Sequence, residues 1–417
     1  MTDSAVDLPH DGRARLIGGL ATVFDQGVVS IGTFATHIIL ARTLPEHDYG
    51  QFALFLYVVL FLNMSHSALL VQPLSIRAGA MNVAALRPLT WTTLHGTLLA
   101  ALPSSLVLLL VAAALGRVEL APLLLLATLS WQLQESLRRV LLCDGHRTRA
   151  LPGDALRYLG QAGAVFWLAR SETLDLASVL LCFTAFACLG AAVQFIQVLA
   201  LTDSEGERVT LRELWQKGRW LLLAGLAQAS TVQILSWCLY ALAGSESLAR
   251  FRALATVVGL SNPVFIGLGN FLLPAIARWH AELGSVRDTV ARARPVLLLG
   301  LGVLIPAWGV CLIWPERVLS LAYGEASPYA ALGYELRLAI VFMVTSFYAT
   351  LVPSILAGLS LERGATQAQV VGLAVCILVA APLIGLGGVV GAILASAIVN
   401  GGRVAFAFAI LRRAGAK

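Results

Sequence analysis

The sequence predicts an all-α integral membrane protein with twelve transmembrane helices in two parallel-repeat six-helix bundles. Three observations predict it: the apolar content, the alternation of basic residues between loops, and an internal repeat at an offset near 204 residues. Of 417 residues, 58% are hydrophobic and 12% charged, against about 25% charged in a soluble domain. A spanning helix takes roughly 20 apolar residues. The chain holds about 242 apolar residues, enough for about twelve spans and little else. That excludes a soluble enzyme, a disordered chain and a nucleic-acid-binding domain.

The first 16 residues are polar and carry Arg13 and Arg15. The run behind them has no small-residue cleavage site and is too long for a signal-peptide core, so it reads as a retained first span. Apolar runs lie near 17–41, 51–74, 91–115, 120–142, 155–169, 176–201, 220–243, 253–274, 296–314, 336–358, 366–384 and 387–410. The shortest, 155–169, carries Arg157 at its start. Twelve spans put both termini on one side. Of the 29 lysines and arginines, 22 fall on that terminal side. The other 7 (Arg42, Arg117, Arg170, Arg250, Arg252, Arg317 and Arg337) fall on the far side. The positive-inside rule then places both termini in the cytoplasm. The net charge of +6 reads as topology, not as affinity for nucleic acid.

Arg15–Leu16–Ile17 opens span 1 as Arg219–Trp220–Leu221 opens span 7. Span 2 ends in a Pro73-to-Arg77 spacing that returns at Pro274 and Arg278, and Arg87–Pro88 before span 3 returns as Arg294–Pro295. The expected organisation is an N-terminal lobe (1–201), a linker (202–219) and a C-terminal lobe (220–417), related by an axis along the membrane normal. In parallel-repeat transporters the substrate site lies between the halves. Leu211, Leu214 and Trp215 share one side of a short helix, so the linker is expected to lie on the interface as an amphipathic helix. An ordinary solvated linker is the alternative.

Asp25 falls near mid-depth of span 1, where a carboxylate costs several kcal/mol and must face protein or water. It is either a structural group bonded to a neighbouring helix or a proton, cation or substrate contact. Thr22, Gln26, Ser30, Thr33 and His37 follow at steps of four, four, three and four, on one helix face. Ser230, Gln233, Trp237 and Tyr240 make the matching stripe on span 7, with Gln228 near the position equivalent to Asp25. Two such stripes suggest walls of a wet cavity. Asn63 and His66 lie near the centre of span 2. Asn262 precedes Pro263 in span 8, where a proline can kink the helix. Glu135 with Arg138 and Arg139 reads as a self-neutralising pair, or as arginines that hold an anionic headgroup. Gly387, Gly391 and Ala395, four apart, suggest close packing of span 12.

The six cysteines form no C-x-x-C pair, no H-E-x-x-H occurs, and neither lysine sits in a phosphate-binding loop. The longest far-side loop, about 315–335, is short. No metal site, cofactor or catalytic triad is expected. A transporter built this way would draw on a gradient, of H+ or Na+, or on another subunit.

The segment Ile39–Leu40–Ala41–Arg42–Thr43–Leu44–Pro45–Glu46–His47–Asp48–Tyr49–Gly50–Gln51–Phe52–Ala53 resembles the junction between spans 1 and 2 of the bacterial polysaccharide flippases. These belong to the multidrug/oligosaccharidyl-lipid/polysaccharide superfamily. Asn262–Pro263–Val264–Phe265–Ile266–Gly267–Leu268–Gly269–Asn270–Phe271–Leu272–Leu273–Pro274 resembles the matching helix of the lipid II flippases. The likeness is strongest over 15–80 and 219–280. It implies a V-shaped, MATE-like pair of bundles, alternating access, and an undecaprenyl-pyrophosphate-linked oligosaccharide as substrate, with no enzymatic activity. It also implies a monomer in the bacterial inner membrane, serving surface polysaccharide synthesis beside a polymerase and chain-length proteins. The cavity of such a protein should be cationic, because arginine grips phosphate bidentately. Here the sequence departs from the pattern, with no arginine between Arg252 and Arg278. The remaining pyrophosphate candidates are Arg15, Arg77, Arg219 and Arg278 at the terminal mouth, with Arg42, Arg250 and Arg252 at the far mouth. The alternatives are a cation-coupled multidrug antiporter of the same superfamily, a membrane enzyme of polysaccharide assembly, and a scaffold subunit.

Overall fold

The computed structural model describes residues 12–78, 86–143, 147–200 and 210–415, which are helical almost throughout, with no strand among them. Helix α1 (Gly12–Thr43) stops before Pro45, and α2 (Glu46–His66) starts directly after it, with Glu46 and Asp48 in its first turn. Proline disfavours helix in the residue before it, and acids suit a helix N-terminus. A π-helical turn, Ser67–Val71, joins α2 to α3 (Gln72–Ala78). Then come α4 (Leu86–Ala114) and α5 (Ala121–Cys143). A second π turn, Leu156–Gly160, joins α6 (Leu151–Ala155) to α7 (Gln161–Arg170). Helix α8 (Leu176–Leu199) closes the N-terminal half, started by a capping box between Asp175 and Ser178.

Helix α9 (Leu211–Val258) starts on a second capping box, Thr210 with Glu213. It is broken at Gly244 (φ 84°, ψ 169°), and a 3-10 turn, Gly259–Ser261, leads into α10 (Asn262–Leu283). Next are α11 (Val286–Ile313), the short α12 (Pro315–Tyr323) and α13 (Gly333–Gly358). Helix α14 (Glu362–Gly415) is broken at Gly388 (φ 51°, ψ −121°). Positive φ at these two positions is what glycine permits.

Eight stretches are long and apolar enough to cross a membrane. Two of them, 225–283 and 362–415, are 59 and 54 residues long. Straight helices of that length would exceed about 80 Å, against a hydrocarbon core of about 30 Å, so each folds back at its glycine. In α14 the return is explicit: Gly391 packs on the Leu383 carbonyl, Gly372 on Arg403 and Gly364 on Ile410. With each arm counted, and with α5 and the α6–α7 rod, the described residues supply twelve helical segments. Helix α5 is less apolar than expected because Gln132, Gln134, Glu135, Arg138 and Arg139 share it.

The linker differs from expectation where it is described. From Leu211 onward it is the first part of α9, continuous with span 7, and does not form a separate surface helix. Leu214 is buried and Leu211 packs beside it against α3 and α4, while Trp215 is exposed. Residues 201–209 of the linker lie outside the described set.

The buried core reveals the overall shape. At the far side one cluster runs across both halves, from Tyr49 and Phe52 through Leu239 and Leu248 to Tyr329 and Leu336. At the terminal side the core is split. Leu70, Leu74, Leu89 and Leu141 of the N-terminal half form one cluster, onto which Leu214 packs from the start of α9. Ile276, Val352, Leu356, Ala407 and Leu411 belong to the C-terminal half. Two bundles joined at one end and parted at the other form a V that opens on the terminal side.

Candidate substrate cavity

The cleft of that V is walled by α1 on one side and by residues 252–266 of span 8 on the other. Its open volume is about 1050 Å³, lined by Gln26, Ser30, Thr33 and His37 of α1 and by Arg252, Thr256, Asn262 and Pro263 opposite. The α1 face is the polar stripe seen in the sequence. Span 8 presents its residues there because the 3-10 turn and Pro263, in the first turn of α10, redirect the helix beside the cleft. Exposure rises from buried His37 at the far end to exposed Asn262 and Ile266 nearer the terminal mouth.

At the closed end, Arg252 Nη2 lies 2.9 Å from His37 Nε2. A guanidinium only donates, so His37 Nε2 accepts and the ring proton sits on Nδ1. That Nδ1 and the Arg252 Nε are both buried without a partner. Arg252 also lies over the Tyr57 ring, 5.6 Å from its centroid. It forms no ion pair among the described residues. No Asp or Glu lines the cavity among the described residues. The closed end is thus Arg252 beside His37, with one N–H donor of each buried without a partner.

The far mouth above it is shut by the junction of α1 and α2. Arg42 donates from Nε and Nη2 to the carbonyls of Ala322 and Leu321, at 2.6 and 2.7 Å, at the C-terminus of α12. Arg250 Nε meets Glu46 Oε1 at 3.3 Å, and His47 Nδ1 lies 2.8 Å from Ser245 Oγ. Tyr49 packs on Tyr329, with ring centroids 6.0 Å apart.

Other expected residues lie elsewhere. Asp25 is buried and does not line the cavity: its Oδ2 accepts from Arg138 Nη2 at 2.6 Å, inside the N-terminal bundle. The span 7 stripe packs on α2 and does not face the α1 stripe. Gln233 Nε2 donates to the Tyr57 carbonyl at 2.6 Å, and Trp237 packs edge-on to Tyr240. Gln228 is exposed. A two-fold axis between the halves explains the exchange, since it sets span 1 opposite span 8 and span 2 against span 7. His66 is enclosed with Thr97 at 2.9 Å and Ser136 at 3.4 Å, and Asn63 is half-buried on α2 with its amide unpaired. Among the pyrophosphate candidates whose side chains are described, only Arg252 reaches the cavity. Arg42 and Arg250 are engaged at the far mouth, and Arg219 and Arg278 are exposed. The side chains of Arg15, Thr22 and Arg77 lie outside the described residues.

Sequence reasoning missed the group that receives Asp25. Arg138 Nε also donates to Asp154 Oδ2 at 2.5 Å, and its Nη1 lies 3.7 Å from Glu135 Oε2. Gln134 Nε2 donates to Asp154 Oδ1 at 2.7 Å, and Gln194 Nε2 to the same oxygen at 3.1 Å. Gln134 Oε1 accepts from Arg157, whose guanidinium stacks 4.7 Å from both Trp131 and Tyr158. Helices α1, α5, α6 and α8 are tied together by this one network. A local pairing of Glu135 with Arg138 and Arg139 is present, but it is the smaller part.

No protein-family model matches the sequence, and no curated protein matches it. Solved structures do. An inward-facing multidrug resistance MATE family transporter of the MOP superfamily matches with a TM-score of 0.77 at 13% identity, over 93% of this chain and 96% of that one. The inward closed lipid II flippase MurJ matches with a TM-score of 0.70 at 9% identity, over 95% and 87%. A MOP superfamily transporter from Pyrococcus furiosus, described as having reverse polarity of its binding pocket, matches at 0.64 and 14%, over 96% and 95%. At these identities the likeness is one of fold: the chain is a multi-pass membrane protein with the two-bundle architecture of MATE transporters.

Proposed function

We propose that the chain is an alternating-access flippase. It would carry an undecaprenyl-pyrophosphate-linked oligosaccharide from the cytoplasmic leaflet to the outer leaflet of a bacterial inner membrane, for surface polysaccharide synthesis. The observation that supports this reading is the closed end of the cleft. Arg252 lines the cavity there, no Asp or Glu stands among the described lining residues, and a guanidinium binds phosphate oxygens bidentately. A ligand rich in oxygen acceptors and negative charge matches that guanidinium. The hydroxyls and amides of Gln26, Ser30, Thr33 and Asn262 suit sugar groups below it. The polyprenyl tail stays in lipid beside the open cleft.

The second reading, a cation-coupled drug antiporter, would need a carboxylate in the cleft. The described lining has none, and Asp25 is paired with Arg138 away from the cleft. The test is transport by the purified chain in proteoliposomes, comparing a polyprenyl-pyrophosphate oligosaccharide with an organic cation, each under H+ and Na+ gradients. Movement of the lipid-linked sugar supports the flippase. Movement of the organic cation alone would replace it with the antiporter.

A further inference from the structure

The C-terminal half carries a second depression, away from the cleft. On the terminal face the last turns of α14 cross the first turn of α11. A Cβ on Gly415 would lie 3.9 Å from Arg287, so the helix ends are in ordinary contact. Between them is a groove of about 690 Å³ lined by Val286, Arg287, Val290, Phe408, Leu411 and Arg412. Its floor is apolar: Leu411 is buried, and Phe408 is exposed beside it. Beyond it α11 exposes Leu298 and Leu299, side chains of the kind that face lipid. Arg287 and Arg412 are exposed, and neither forms an ion pair among the described residues. Nearby acids do not neutralise them. Glu282 is taken by Arg292 at 3.0 Å, and Asp288 stands one residue along α11, about 100° around the helix from Arg287.

We propose that this groove is a binding site for an anionic phospholipid. The groove lies where α11 begins and α14 ends, at headgroup level. Guanidiniums match phosphate oxygens bidentately, and basic pockets between transmembrane helices take anionic headgroups. The apolar floor of Val290, Phe408 and Leu411 receives the start of an acyl chain. A zwitterionic lipid of equal chain length gains the floor but not the net charge. The site is independent of what the central cleft carries.

Native mass spectrometry of the purified full chain, with phosphatidylglycerol and phosphatidylcholine of identical acyl chains, tests it. Two arginines at about 1 kcal/mol each should favour phosphatidylglycerol by roughly thirtyfold. The pair Arg287→Gln and Arg412→Gln should bring the two lipids to parity, while Arg317→Gln on the far side leaves the preference intact. On the unaltered protein, the preference should fall as ionic strength rises, because these charges are exposed. Equal retention of both lipids by the unaltered protein would overturn the proposal. So would a preference indifferent to salt, or one that survives the double substitution.

Discussion

Arg138 Nη2 and Asp25 Oδ2 lie 2.6 Å apart, joining α5 to α1 across 113 residues of sequence. Asp154 takes the same guanidinium from the other side. A buried cation shared by carboxylates is destabilising to break, because removal of one partner strands the others. Arg138→Ala should therefore destabilise the N-terminal bundle by about 3–5 kcal/mol. Thermal unfolding in detergent would read this directly. Neutralising its two closest carboxylates as well, with Asp25→Asn and Asp154→Asn added to Arg138→Gln, should recover part of the loss. An unchanged melting temperature for Arg138→Ala would show that the network is not holding the bundle.

The same geometry predicts how Asp25→Asn differs from a cavity substitution. Asp25 does not face the cleft, so its variant should lower the amount of folded protein and leave transport per molecule near normal. Arg252→Ala faces the cleft and should do the reverse. A lost hydrogen bond to a charged group is worth about 1.5–3 kcal/mol, so substrate affinity should fall roughly ten- to a hundredfold with the melting temperature little changed. Substrate titration of both variants in proteoliposomes would separate the two effects. Equal transport defects per folded molecule would place both residues in the same site.

The span 1 stripe was legible because helical periodicity is a local property: Gln26, Ser30, Thr33 and His37 lie on one face whatever surrounds them. What they face was not. Arg252 comes from a helix more than 200 residues away, and only the two-fold exchange of spans brings it opposite. The span 7 stripe shows the limit of the same reasoning, since its polar face is spent on the Tyr57 carbonyl. Asp25 was readable as a buried charge in need of a partner. Arg138, however, looked satisfied by Glu135 three residues away, and that adequate local pair concealed the stronger distant one. The break at Gly244 was visible only as a gap between apolar runs, and the break at Gly388 falls inside the run expected over 387–410, because positive φ leaves no mark in hydrophobicity.

The far mouth gives a prediction about motion. His47 and Ser245 face each other across the two halves, with Nδ1 and Oγ 2.8 Å apart. Cysteines at both positions should form a disulfide in this state and hold the far mouth shut. Transport should stop on oxidation and return on reduction. Transport that continues in a fully crosslinked sample would rule out opening at this mouth.

The small-residue stripe of span 12 separates two glycines that look alike in sequence. A Cβ on Gly391 would come 1.9 Å from the Leu383 carbonyl oxygen, whereas one on Gly387 meets nothing within 4 Å. The Leu383 contact is backbone and cannot rotate away, so the arms of α14 must part to admit a methyl group. Gly391→Ala should cost about 1–3 kcal/mol. Gly387→Ala should fall within about 0.5 kcal/mol of the unaltered protein. Thermal unfolding of the two variants side by side checks the hairpin itself. If α14 were one straight rod, residues 383 and 391 would be about 12 Å apart, and the two substitutions would behave the same.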